Sequence, residues 1–187
     1  CRDQRARLSF DYMGLADQAP EGATTIPEGS GTGEDLYVGA AELSPVEAQP
    51  TWLAGAAEVN GAVAEDGVLH LFAEGNGKGM KYSAPLPQPI EMSRYRYVAV
   101  RYRARNTAPW GDYFIWLGSE AGGTPQKWAQ PVKLYELDAD DTWRVMIAPV
   151  REDFTASHLA LQVGSAAARG DIWLDYIRFC TRRPLIE

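Results

Sequence analysis

Two histidines, His70 and His158, and two cysteines, Cys1 and Cys180, are the entire supply of imidazole and thiol in this chain of 187 residues. Each stands alone in its local sequence, so no CxxC pair or HExxH helix is present to hold a transition metal, and a catalytic triad is poorly supplied. The glycine clusters "GSGTG" at 29–33 and "GNGKG" at 75–79 lack the spacing of a phosphate loop and read as turns. "RGD" at 169–171 reads as the turn before the last strand. The 25 acidic residues offer many carboxylate pairs for glycoside hydrolysis, but nothing in the sequence sets two of them in a common cleft, and they read as solvated surface charge. The expectation is a protein that binds and does not catalyse.

Aromatic rings and guanidinium groups are the better-supplied chemistry, with six Trp, nine Tyr and five Phe along the chain. Trp143 alternates with Val145 and Ile147 and reads as core. Trp116 lies opposite the apolar side of its own strand, while Trp52, Trp110 and Trp128 fall in loops or at strand edges, where a large ring is costly to expose without a partner. Flat rings stack on the apolar faces of sugars while Arg and Gln side chains hydrogen-bond the hydroxyls, so Trp116, Tyr135, Arg101, Arg103 and Gln162 are expected to form a sugar platform. The same kinds of residue are enriched at protein interfaces. Both uses stay open at this level.

The elements that must carry these side chains are strands. Gly 18 and Pro 12, with 45% hydrophobic and 23% charged residues, fit many short strands joined by turns. Period-two alternation recurs in "ARLSFDYM", "VLHLFA", "YVAVRYRA", "YFIWLG", "WRVMIAP", "HLALQV" and "DIWLDYIRF", with "PVKLYEL" as a further candidate strand. "LYVGAAEL" reads as a short edge strand or a helical turn. One antiparallel β-sandwich domain over 1–187 is expected, with a loop-rich insertion at about 14–60. A net charge of −7 argues against a general nucleic-acid binder, and the Arg and Tyr residues interleaved over 94–105 read as a solvated strand face. No apolar stretch approaches the roughly 20 residues of a membrane span.

The order of an "RYVAVRYRA" strand, a strand opening at Trp143 after an acidic turn, "HLALQV" and a closing "GDIWLDYIRF" resembles the galactose-binding-like jelly rolls, which include many bacterial carbohydrate-binding modules. The resemblance covers roughly residues 60–180 and concerns a scaffold more than a ligand motif. It implies an all-β jelly-roll sandwich and, from the aspartate often found in the closing strand of such domains, a structural Ca²⁺ held by Asp175 with Asp11. An Asp175 paired with Arg178 or a backbone amide is the alternative.

Cys1 carries two mutually exclusive expectations, a lipid anchor on its sulfur or a disulfide to Cys180, and either sets the protein outside the cytoplasm, in the periplasm or at the cell surface; two free thiols are the third reading. Two functions follow. One is an accessory subunit, anchored at Cys1, that docks on and stabilises a larger envelope or membrane complex. The other is a carbohydrate-binding module. With no linker or catalytic neighbour visible, the docking role is placed first.

Overall fold

Where apolar and polar residues alternate, the backbone is extended and one side of each strand is buried. The computed structural model describes residues 35–49, 55–108, 113–119 and 128–185. Its strands, in chain order, are β1 (Leu36–Gly39), β2 (Glu47–Ala48), β3 (Asn60–Glu65), β4 (Val68–Glu74), β5 (Gly79–Glu91), β6 (Tyr97–Arg105), β7 (Ile115–Gly118), β8 (Trp128–Val132), β9 (Arg144–Pro149), β10 (Thr155–Gly164) and β11 (Arg169–Cys180). Three short 3-10 turns complete the regular structure among the described residues. The segment "LYVGAAEL" is strand and then turn, and "PVKLYEL" splits in the same way, because the 3-10 turn Leu134–Glu136 interrupts it just after β8.

The strands form two antiparallel sheets. A six-stranded sheet runs β3-β4-β11-β6-β9, with β1 completing it by pairing the C-terminal half of β11. A five-stranded sheet runs β2-β5-β10-β7-β8. Leu69 and Leu71 of β4, Val98, Val100 and Tyr102 of β6, and Ile172, Leu174, Ile177 and Phe179 of β11 meet Tyr82 of β5, Ile115 and Leu117 of β7, and Leu159, Leu161 and Val163 of β10 in one shared core. This is the jelly-roll sandwich that the alternation anticipates.

Local chemistry explains the joints. Asp66 and Gly67, with φ of 51° and 81°, make the two-residue turn between β3 and β4, the geometry for which an Asp-Gly pair is suited. Gly75 and Gly77 in "GNGKG" also have positive φ, as a turn requires. In β11 the pairing with β6 shifts between Leu174 and Tyr176, so Asp175 is an extra residue and the inward set moves from Ile172 and Leu174 to Ile177 and Phe179.

Two readings of the sequence are corrected here. Directly paired residues share a face. Met146 and Ala148 of β9 pair the buried Val100 and Val98, whereas Val145 and Ile147 pair Arg101 and Ala99. The phase of β9 is therefore opposite to the one its alternation suggested, and Trp143, just before it, lies half-buried over the outer face instead of in the core. Likewise 169–171 is not a turn but the start of β11.

Tyr102 shows how the core ends at the acidic turn. Its ring is buried, and its hydroxyl accepts the backbone N–H of Asp138 at 3.0 Å. Tyr102→Phe removes that acceptor, and since Asp138 is open to water the expected cost is about 1 kcal/mol, read as a melting temperature lower by about 2–4 °C in a calorimeter.

Candidate functional site

The outer face of the six-stranded sheet carries arginines 101, 103 and 105 on β6, Asp171 and Trp173 on β11, and His70 and Phe72 on β4. The rings and guanidinium groups interleave. His70 stacks on Trp173 with centroids 4.5 Å apart and an interplanar angle of 11°, and the Arg103 guanidinium lies 4.0 Å from the same indole. Arg101 lies 4.7 Å from the Trp143 ring and Arg169 4.0 Å from Phe72. Each cation also has a carboxylate: Arg101 pairs with Asp175, Arg103 with Asp141 at 3.2 Å, and Arg105 and Arg169 with Asp171, both at 2.9 Å. Asp171 accepts from His70 Nε2 as well, at 2.9 Å, while being only 1% exposed. Burial alone pushes this carboxyl up, but the hydrogen bonds from Arg105, His70 and Arg169 outweigh it and hold it below the ordinary carboxylate range. This lattice satisfies its own charges and covers its own rings.

The outer face of the five-stranded sheet is different. His158, Ala160 and Gln162 of β10 alternate with the core residues Leu159, Leu161 and Val163, and so point outward. Register places Gln162 beside Lys81, and Ala160 between Ser83 and Trp116. Tyr113, Trp116 and Trp128 follow one another, with centroids 5.6 and 6.3 Å apart and planes at 53° and 77°. Lys81 Nζ lies 4.8 Å from the Tyr113 centroid, Gln49 Nε2 donates to Ser83 Oγ at 3.1 Å, and Trp128 is 50% exposed. In the middle sits Gln162, 6% exposed, whose Oε1 is buried with no hydrogen-bond partner among the described residues. A buried acceptor left unpaired costs about 1–3 kcal/mol, so a fold retains one only against a gain elsewhere.

Among the described residues the nearest approach to nucleophilic chemistry is on this face, where Ser157 Oγ lies 2.8 Å from His158 Nδ1. Ser157 donates its proton to the Ser119 carbonyl at 2.8 Å, so the imidazole N–H donates to Oγ and does not activate it.

The residues expected to form a single platform are thus divided. Trp116, Trp128 and Gln162 come together, whereas Arg101 and Arg103 lie on the opposite side of the sandwich, because β6 and β10 belong to different sheets. Tyr135 stands 57% exposed on the 3-10 turn after β8. Trp52 and Trp110 lie outside the described residues, as do Cys1 and Asp11. Asp175 is engaged by Arg101, and among the described residues no group of three His, Cys, Asp or Glu side chains converges as a metal site would require. Cys180 is fully buried, and burial pushes its thiol up to about 11; its expected partner, Cys1, lies outside the described residues. Lys81, Ser83 and Tyr113 escaped the sequence reading, as did Asp171 and Trp173 on the other face.

No family model and no curated protein matches the chain. Solved structures do. One is a low-affinity xylan-binding module of family 86 from Roseburia intestinalis, 14% identical over 78% of this chain and 93% of that one, with a TM-score of 0.42. Another is a family 29 carbohydrate-binding module, 13% identical over 79% and 90% of the two chains at a TM-score of 0.47. A third is the first family 29 module of Piromyces equi, 12% identical over 79% and 91% at 0.43. The expectation of a lipid-anchored subunit docking on a membrane complex is corrected: these similar structures are carbohydrate-binding modules, and of the described residues meant for docking Trp116 and Trp128 belong to one sheet and Arg101 and Arg103 to the other. With two antiparallel sheets face to face, the chain is an all-β sandwich, as those modules are.

Proposed function

We propose that the chain is a non-catalytic carbohydrate-binding module that takes a glycan on the outer face of its five-stranded sheet. The observation that carries this reading is the buried, unpaired Gln162 Oε1 beside the Tyr113–Trp116–Trp128 run. A sugar laying its C–H side on the exposed Trp128 ring brings its hydroxyls over Gln162, whose Oε1, buried in the unbound chain, takes one of them as the side chain turns outward. On the other sheet each arginine is paired with a carboxylate, and the one buried atom there without a hydrogen bond among the described residues, Arg103 Nε, still lies 3.2 Å from Asp141.

Gln162→Leu separates this reading from a purely structural role. Leucine is apolar, one bond shorter and has no acceptor to leave unpaired, so the variant is expected to melt at the same temperature as the parent or higher. Its retention by soluble xylan, mannan or mixed-linkage β-glucan in affinity electrophoresis is expected to fall about tenfold, the loss of one hydrogen bond in a dry site. Trp116→Ala is expected to weaken retention at least as much, and Tyr37→Ser, an exposed change on the other sheet, to leave it unaltered. An unmodified chain retained by none of the polysaccharides sinks the proposal, as does a Gln162→Leu chain that loses stability and keeps its retention.

A further inference from the structure

At the end of the six-stranded sheet, where β9 is the last strand in the order, an open depression of ≈ 660 Å³ lies among Arg101, Asp138, Trp143, Arg144, Val145 and Met146. Its size falls within the range of small-molecule sites. The depression wraps round the edge strand: the indole, Val145 and Arg101 line it from the outer face, Met146 and Arg144 from the inner side of β9, and Asp138 closes its polar end.

The signs of those charges decide what fits. Arg144 is paired with Asp140 and lies 3.3 Å from Asp138, and Arg101 is paired with Asp175 and packed on the Trp143 ring. Each guanidinium is neutralised and held in one orientation, yet with five N–H donors it has more than its carboxylate partners accept. An entering anion meets Asp138, and an entering cation meets Arg101 and Arg144, so neither gains from the local field. An uncharged ring bearing many hydroxyls gains from both, donating to the Asp138 carboxylate and accepting from the guanidinium N–H groups, while its C–H side lies on Trp143 and Val145. The fixed ion pairs spare such a ligand the entropy of ordering long side chains.

We infer that this depression is a second carbohydrate subsite, taking a short neutral sugar, and that it works independently of the face around Gln162. The two sites lie on opposite sheets, so a chain carrying both can engage two strands of a polysaccharide at once and bind it more tightly than either site alone.

The test follows the Trp143 indole N–H cross-peak in ¹H–¹⁵N spectra while xylobiose, mannobiose and cellobiose are titrated, in the parent chain and in Trp116→Ala. A saturable shift of that peak with at least one disaccharide, kept in Trp116→Ala, is the expected result, and it stands even if the polysaccharide retention assigned to the Gln162 face proves absent. Arg144→Met and Asp138→Asn, both changes at solvent-open side chains, are each expected to weaken the titration about fivefold, as the loss of one hydrogen bond does. No shift with any of the three sugars overturns the inference. So does a shift that vanishes in Trp116→Ala, or one that both Arg144→Met and Asp138→Asn leave unchanged.

Discussion

Asp171→Ala is expected to lower the melting temperature by about 6–12 °C, the equivalent of about 3 kcal/mol in a chain of this size. One carboxylate, almost wholly buried, takes hydrogen bonds from Arg105, Arg169 and His70, which come from three different strands of the sheet. Removing a partner from a buried ionic cluster costs about 3–5 kcal/mol when the remaining charge stays buried. Here the lower end applies, because Arg105 and Arg169 are partly exposed and each has a second acid, Asp141 at 3.9 Å and Glu74 at 3.6 Å. The same cluster sets an acid limit. The folded-state carboxyl titrates below its unfolded value of about 3.9, so its contribution is complete above that pH and is lost as pH falls through the depressed value. Melting temperatures of the parent and Asp171→Asn, measured from pH 7 to pH 2, are therefore expected to converge at the acid end. Parallel curves across that range rule out the assigned role.

Gly170→Ala is expected to cost a similar amount for a steric reason, at the top of the usual 1–3 kcal/mol for forcing atoms into packed space. A Cβ at this position comes within 2.7 Å of the Gly164 carbonyl oxygen, 2.8 Å of the Ser165 Cα and 3.0 Å of the Asn106 carbonyl oxygen. All three are main chain, and they are tied in place: Ala108 N–H donates to Gly164 O, Ala166 N–H to Asn106 O and Gly77 N–H to Ser165 O. No side chain can swing aside. Gly61→Ala makes a useful contrast, since the Cβ meets only the Phe72 ring, which can rotate and shift toward solvent. Chemical denaturation of the two variants should give a midpoint markedly lower for Gly170→Ala than for Gly61→Ala; equal midpoints defeat the argument.

The comparison of sequence with structure divides along physical lines. Alternation located β4, β6, β7, β10 and β11, because burial of one side is a property of the strand itself. It misjudged β9, since an edge strand has weaker burial on both sides, and Val145 and Ile147 are apolar without being inside; only the pairing of Val98 with Ala148 and Val100 with Met146 settles the phase. It also missed the role of Asp171, because an acid between Gly170 and Ile172 carries no local mark of Arg105 and His70, which reach it across 66 and 101 residues of chain. For the site, Trp116 and Gln162 were legible as outward residues of their strands, and Trp128 as a ring in a loop or at a strand edge, where the structure makes it the first residue of β8. That Arg101 and Arg103 belong to the other side was not, since assignment of a strand to one sheet or the other is a long-range fact.

Strand β11 lies at the centre of the six-stranded sheet, with β4 and β1 along one side and β6 along the other. During synthesis, the hairpin of β3 and β4 and the pair of β6 and β9 leave the ribosome as separate halves with open edges, and they cannot be joined until residues up to Cys180 have emerged. Assembly of that layer is thus a late event governed by distant contacts, of the kind that takes milliseconds to seconds. Until then the nascent polypeptide exposes unpaired strand edges, the kind of surface on which partly folded chains aggregate.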